Sequence, residues 1–369
     1  MSRPIARLFS IAVLMTGLLC AGSPTRAADS KSPRMDRLKA LDEDYESKTN
    51  AFEAVMSKAQ TKEQRLKALE LKPSTAEYGK KFFAIAKEKP TDEAALRACT
   101  WIISNYDAEE PIEQLDDALE IIKKNHLTSP LLKIALLPLA YCESEKAATL
   151  LKMLSEKGKD RVVRGVANFV MASSRYERYE GDDPQNLAEI EALLQRVKTE
   201  YGDVKPDDDE KTLGGLVAGP LYEIQKLQPG MMAPELEGID VFGKPIKLSN
   251  FRGKVVMLVF WGSWCGPCMA NVPHENKLMA DYAGRPFTVV GVNSNDTQEK
   301  AAKTMKENKM KWPSFFDGET GKIVPRWNVV AFPTVYLIDA KGRIRVKYPL
   351  EKEDFEKAIE KAVKEAEKK

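Results

Sequence analysis

The sequence lacks an excess of charge of either sign. It has 57 Lys and Arg against 55 Asp and Glu, which gives a formal net charge of +2 over 369 residues. The two signs are mixed along the chain rather than gathered in blocks, so the charge pattern gives no indication of a nucleic-acid partner. The chain also lacks an apolar run of the roughly 20 residues that span a bilayer. Because 369 residues exceed one typical domain, we expect two domains.

Cysteine and histidine are scarce, with five and two residues respectively. Cys265 and Cys268 form a CxxC pair around Gly266 and Pro267. Because no second CxxC or CxxH follows, a structural zinc site, which normally needs four ligands, is disfavoured. Met269 rather than histidine follows the pair, which excludes haem attachment of the c type. A purely structural disulfide across two intervening residues is geometrically tight. The pair is therefore predicted to be a redox-active dithiol, with no cofactor and no metal.

The residues around the pair predict how it works. The apolar run Val255–Trp261 predicts a buried strand that leads directly to the start of a helix. Unpaired N–H groups and the dipole at a helix N-terminus stabilise a thiolate, so Cys265 is the candidate nucleophile. Cys268, one turn later, is the candidate resolving cysteine, which attacks the first sulfur in a mixed disulfide. Gly266 is expected to leave the sulfur open to a partner's backbone. Pro267 fits the first helical turn, where its missing N–H has no cost.

Residues 1–28 have the pattern of a secretory signal peptide. Arg3 and Arg7 precede the apolar stretch Leu8–Ala21, and small residues then predict cleavage near Ala27. This stretch is too short to span a membrane, so membrane association is expected only if the segment is retained. The mature chain is expected in the periplasm or otherwise outside the cytoplasm. Because that environment is oxidising, keeping a dithiol reduced there requires a separate electron donor in the envelope.

Residues 29–227 are rich in Ala, Leu, Glu and Lys and predict an all-helical domain of antiparallel hairpins. A tetratricopeptide-like solenoid is one form of such a domain, although no clear 34-residue repeat is found. The predicted helices are 34–59, 74–88, 92–105, 111–124, 130–141, 144–156, 160–179, 186–201 and 208–227. Cys99 and Cys142 lie among apolar helix residues, which favours buried free thiols; a disulfide between them is the alternative.

A second domain, residues 228–369, is predicted from a change in composition, because Pro and Gly punctuate the chain and strand-like segments follow. The predicted segments are a hairpin over 235–241 and 245–248, a strand over 255–261, a helix to about 282 interrupted at Pro273, a strand over 287–292, a helix over 298–308, a strand over 314–316, a hairpin over 334–338 and 344–348, and a last helix with Phe355, Ile359 and Val363 on one face. This order predicts a mixed α/β sheet with helices on both faces.

Over about residues 229–369 the sequence resembles the thioredoxin fold. The resemblance rests on Trp-Cys-Gly-Pro-Cys at 264–268 and on Phe-Pro-Thr at 332–334. The lead-in to this domain is similar to that of TlpA-like secreted thiol:disulfide oxidoreductases, which are related to the AhpC/TSA proteins. The resemblance implies that Pro333 is a cis-proline facing the dithiol, and that Phe332 offers backbone hydrogen bonds to a bound cysteine-containing segment. The residues expected to support the two cysteines are Trp264, Gly266, Pro267, Phe332 and Pro333.

Two departures from these families concern the proton acceptor of Cys268. Thioredoxins commonly have a buried acid six residues before the nucleophile, where this chain has Val259. TlpA-like reductases often have a glutamate three residues after the second cysteine, where this chain has Asn271. His274 and Glu275, one turn further along the helix, are expected to face solvent; the alternative is that one of them substitutes as the acceptor through water. Deprotonation of Cys268 is therefore expected to be slow or to depend on water.

Reduction of protein disulfides is the favoured function, because a Gly-Pro insert resembles that of reducing thioredoxins. The predicted partners are protein substrates with disulfides or thiols and the envelope electron donor. A thiol peroxidase of the peroxiredoxin type is an alternative, although Leu258 and Gly262 occupy the positions where those enzymes have proline and threonine. In a third interpretation, residues 29–227 dock an envelope partner and the redox domain is an accessory.

Overall fold

The computed structural model describes residues 32–107, 110–142, 144–179, 181, 183–206, 211–347 and 352–368. The predicted signal peptide lies outside these residues. No helix in the described part of the chain has both the length and the apolar character that crossing a membrane would require.

The chain divides into two compact units between Val217 and Ala218. The predicted boundary was ten residues later, at 227/228. A helix, Leu213–Lys226, continues across the division, and its Tyr222 packs with Leu227 in the buried cluster of the second unit. Residues that look like the end of the helical region therefore contribute to the core of the second unit.

The first unit is mostly helical, as predicted. Its helices are α1 Pro33–Met56, α2 Lys62–Leu69, α3 Thr75–Glu88, α4 Glu93–Ser104, α5 Leu115–Asn125, α6 Leu132–Leu139, α7 Glu145–Lys157, α8 Arg161–Glu177, α9 Pro184–Tyr201 and α10 Leu213–Lys226, which enters the second unit. Several consecutive pairs contact each other, including α3 with α4, α4 with α5, α7 with α8 and α8 with α9. The tetratricopeptide-like arrangement stays a prediction.

N-cap side chains explain where several of these helices begin. Asp92 and Asp160 each accept a hydrogen bond from a first-turn backbone N–H at 2.9 Å.

The helix α2 was not predicted. Thr61 and Gln64 form a capping box at its start. Ala68 is the only residue of α2 that is buried. The helix therefore has no apolar periodicity that would have revealed it.

The two cysteines of the first unit are buried free thiols, which confirms the favoured interpretation. Burial raises the pKa of Cys99 and of Cys142 to about 12. Since the thiolate is the reactive form, neither thiol competes with a low-pKa cysteine for thiol–disulfide exchange at neutral pH.

The second unit has the predicted thioredoxin fold. A two-stranded ribbon precedes a five-stranded mixed sheet. The elements are β1 Glu237–Ile239, β2 Pro245–Lys247, a 3-10 turn Leu248–Phe251, β3 Val255–Trp261, α11 Gly266–Asp281, β4 Phe287–Ser294, α12 Gln298–Glu307, β5 Ser314–Gly318, α13 Ile323–Arg326, β6 Thr334–Ile338, β7 Ile344–Lys347 and α14 Lys352–Glu367. The strand order is β5-β4-β3-β6-β7. β3 and β5 pair in parallel with β4, whereas β6 pairs antiparallel with β3 and β7.

Alternation along β3 divides the core of this unit into two layers. The odd-numbered residues, including Val259, lie in a buried cluster with α11, α12, α14 and both cysteines of the CxxC pair; this cluster is called the dithiol layer. The even-numbered residues, including Phe260, lie in a second cluster with Trp327. The strand that leads to the dithiol is therefore covered on both faces, and all seven of its residues are buried.

Helix α11 runs through Pro273 without the predicted interruption. A proline removes one backbone N–H, here the donor that would reach the Met269 carbonyl. The remaining residues keep their helical positions. Consequently Cys268, Val272 and Glu275, at intervals of four and three residues, lie on one continuous buried face of α11.

Candidate active site

Cys265 is the N-cap residue of α11, at the helix N-terminus where the sequence placed it. Its Sγ accepts a hydrogen bond from the backbone N–H of Cys268 at 3.1 Å. The two cysteines form a disulfide, with their Cα atoms 5.3 Å apart. An N–H group directed at this sulfur, together with the helix dipole, favours negative charge on Cys265 after reduction.

The residues between the cysteines have the expected places but leave less of the sulfur exposed than predicted. Pro267 lies in the first turn of α11. A side chain added at Gly266 would meet no heavy atom within 4 Å, so the backbone there is open to a partner. Only 4% of the surface of Cys265 is nevertheless exposed to solvent. The residue belongs to the dithiol layer, and Phe332 packs against that layer.

Strand pairing brings Phe332 and Pro333 beside the dithiol. Thr334, at the start of β6, pairs with Phe260 near the end of the antiparallel β3. The residues before Thr334 therefore lie next to those that follow β3. The Phe332–Pro333 peptide bond is cis, as the resemblance implied.

An apolar surface flanks the dithiol on this side. The rings of Trp264 and Phe332 meet edge to face, with their centroids 5.2 Å apart. Trp264, directly before Cys265 in the chain, is 47% exposed. A large apolar side chain exposed directly beside a disulfide is typical of a surface that binds another protein.

Asp296 organises the loop that carries the dithiol, and the sequence analysis missed it. Its carboxylate accepts hydrogen bonds from Ser263 N at 2.7 Å, Ser263 Oγ at 2.5 Å and Asn293 Nδ2 at 2.8 Å. Lys300 Nζ lies 3.5 Å away. Since Ser263 is two residues before Cys265, these bonds fix the path from β3 into α11. The available signal was the parallel order of β3 and β4, which places both of their carboxyl ends at one edge of the sheet.

Glu275 was predicted to face solvent, and this prediction was wrong. The residue is 4% exposed and lies on the face of α11 that packs against the sheet. Desolvation raises the pKa of its carboxyl to about 7. His274, one position earlier, is partly exposed, and its Nε2 lies 3.4 Å from Glu356 Oε1. The spacing of Glu275 from Cys268 and Val272 was the signal that could have revealed its burial.

Known proteins match the second unit. A model of the AhpC/TSA family matches residues 229–347. The thiol-disulfide oxidoreductase ResA of Bacillus cereus is 31% identical over 156 residues, which are 40% of this chain and 90% of ResA. The chain belongs to the thioredoxin-fold thiol-disulfide oxidoreductases. The thioredoxin-like protein YneN of Bacillus subtilis is 33% identical over 122 residues, covering 32% of this oxidoreductase and 70% of YneN.

A solved structure is also similar to this oxidoreductase. The thioredoxin domain of a thiol-disulfide oxidoreductase from Bacteroides vulgatus is 29% identical, with a TM-score of 0.34, and the match covers 37% of this chain and 99% of that domain. The residues from Trp264 to Cys268, together with Phe332 and Pro333, all lie within the part matched by the AhpC/TSA model.

Proposed function

We propose that this oxidoreductase reduces protein disulfides outside the cytoplasm through Cys265 and Cys268. The observation that carries the proposal is the hydrogen bond from the Cys268 N–H to Cys265 Sγ at the helix N-terminus. This position distinguishes the two sulfurs, because the N–H and the helix dipole stabilise a thiolate on the first of them.

The proposed reaction has two exchanges. The Cys265 thiolate attacks a substrate disulfide, so that a mixed disulfide forms and one substrate sulfur leaves as a thiolate. Cys268 then loses its proton and attacks Cys265 Sγ. The bond to the substrate breaks, the second substrate sulfur leaves with the electron pair, and the Cys265–Cys268 disulfide forms. Two electrons have passed to the substrate, and a separate envelope electron donor must return them.

The surface beside the dithiol supports protein substrates with disulfides or thiols as partners. In this proposal the open backbone at Gly266 and the apolar side chains of Trp264 and Phe332 contact an extended segment around the substrate cysteine. Pro333 holds the loop before β6 in place, and Pro267 shapes the first turn of α11. The location outside the cytoplasm rests on the signal-peptide pattern of residues 1–28.

A Cys268→Ser variant tests the proposal by removing the resolving thiol. We expect mixed disulfides between Cys265 and substrate proteins to accumulate, because the second exchange can no longer release them. The measurement is gel electrophoresis of envelope extracts without reductant, followed by mass spectrometry of the adducts. Dithiothreitol should reduce the mixed disulfide of every adduct and release the substrate protein.

The matched control for the trap is Cys265→Ser, which should form no adduct. Adducts on Cys265→Ser but not on Cys268→Ser would contradict the assignment of roles.

The direction of the reaction is tested by the reduction potential. We expect about −270 mV, as in thioredoxin; about −120 mV, as in a strongly oxidising disulfide-forming protein, would overturn the reductase proposal.

A further inference from the structure

A largely buried acidic side chain lies on the face of α11 that begins with Cys268. That face continues through Val272 to Glu275 and Leu278, which are all buried. Val272 and Leu278 belong to the dithiol layer together with both cysteines. Glu275 therefore lies on the same helix face as the resolving cysteine, two helical turns from it.

The other buried acids of the second unit are held by fixed partners. Of the residues described here, Glu223, Glu275 and Asp296 are the buried carboxylates of this unit. Asp296 binds the dithiol loop through Ser263. Glu223 Oε1 lies 2.6 Å from Lys347 Nζ. Glu275, by contrast, accepts no hydrogen bond from any described residue. Because most of this side chain is desolvated and no described residue donates a hydrogen bond to it, the charged form of Glu275 is disfavoured.

We propose that Glu275 is the proton acceptor for Cys268 in the second exchange. The inference rests on the proposed function and supplies the acceptor that the sequence lacks at Val259 and Asn271. The S–H bond of Cys268 breaks and its proton passes through water to the Glu275 carboxylate. The sulfur attacks Cys265 Sγ, and the departing substrate sulfur takes the electron pair. The proton then leaves Glu275 for the substrate thiolate or for bulk water.

The geometry of a helix makes this transfer possible. Glu275 follows Cys268 by seven positions, a rise of about 10 Å along the helix axis. Helical side chains slope toward the N-terminus, so the long side chain of Glu275 extends along α11 in the direction of Cys268. In this proposal, water relays the proton across the remaining gap.

The surroundings of Glu275 suit a group that changes protonation state near neutral pH. Burial alone raises the pKa of its carboxyl, to about 7. Strands β3 and β4 have no charged side chain, and α12 contributes Ala301 and Met305 to this layer. On α14, Glu356 lies beside His274 and Glu360 beside Arg285. Both protonation states of Glu275 are thus populated at pH 7, as an efficient acceptor requires.

The test measures the two exchanges separately in the full chain, with a small aromatic disulfide as substrate. For Glu275→Gln at pH 7 we expect release of the mixed disulfide to slow by about a hundredfold, whereas attack by Cys265 stays within about twofold of wild type. The deficit should disappear above about pH 9, where a thiol ionises without help. The control Glu356→Gln, on the neighbouring helix, should leave both rates unchanged.

Equal release rates in wild type and Glu275→Gln would overturn the proposal, as would an equal loss in both steps, which indicates general damage. A wild type that forms no mixed disulfide at Cys265 would instead refute the proposed function. If the variant does not fold, carbon NMR of wild type decides. The titration midpoint of the Glu275 carboxyl should differ between the oxidised and reduced protein, and identical midpoints would contradict coupling to Cys268.

Discussion

Cys265→Ser is expected to reduce disulfide-reductase activity by at least about 1000-fold. The variant keeps the Cys268 thiol but loses the sulfur that lies at the helix N-terminus and accepts the Cys268 N–H. A serine hydroxyl does not ionise near neutral pH, and no nearby base is assigned to activate it, so the first exchange cannot begin. The measurement is the initial rate of insulin reduction with dithiothreitol as electron donor.

Cys99→Ala is the matched control, because it removes a thiol that is buried and has a raised pKa. Its activity should equal that of wild type. Substantial activity in Cys265→Ser, or a large loss in Cys99→Ala, would show that the reactive sulfur has been wrongly assigned.

Glu275→Leu is expected to stabilise the second unit by about 3 kcal/mol at pH 8. The carboxyl of Glu275 has a pKa of about 7 in the folded chain against 4.5 as its ordinary value, and each unit of pKa is worth about 1.4 kcal/mol. Between these two values the folded chain holds a proton that the unfolded chain has released. Stability therefore falls as the pH rises from 4.5 to 7 and levels off above that range. Leucine removes this loss and fills the apolar layer.

The measurement is hydrogen exchange of β3 amides from pH 5 to pH 8, which reports on the second unit without assuming that both units unfold together. The stability difference between Glu275→Leu and wild type should grow with pH. Glu356→Gln, which changes a partly exposed acid on α14, should follow the wild-type curve. Parallel curves for Glu275→Leu and wild type would mean that the carboxyl is not desolvated in solution.

The predictions for Glu275→Gln and Glu275→Leu describe a trade-off at one residue. A leucine at position 275 should make the unit more stable but should also remove the proposed proton acceptor. A desolvated acid without a hydrogen-bond partner is unfavourable for folding. The presence of Glu275 on the dithiol helix therefore agrees with its proposed role as a proton acceptor.

The sequence predicted most of the second unit because its signals are local. Val255–Trp261 is a continuous apolar run, and Pro267 marks a first helical turn, so the strand, the dithiol and the helix follow one another within a dozen residues. Helix α2 was missed for the opposite reason, since it is almost entirely exposed. At Pro273 a correct local rule gave a wrong result, because packing along the rest of α11 outweighs the loss of one hydrogen bond.

Local sequence signals were enough to predict a dithiol at the start of a helix, to name the candidate nucleophile of the pair, and to place a proline-containing loop before a later strand. The role of Asp296 in holding the dithiol loop emerged only from the folded chain, because parallel pairing of β3 and β4 joins residues 33 positions apart. The tertiary structure likewise decided that Glu275 is buried. The face that a helix presents to a sheet depends on every contact along it, and solvent exclusion by distant residues is what raises the pKa of that carboxyl.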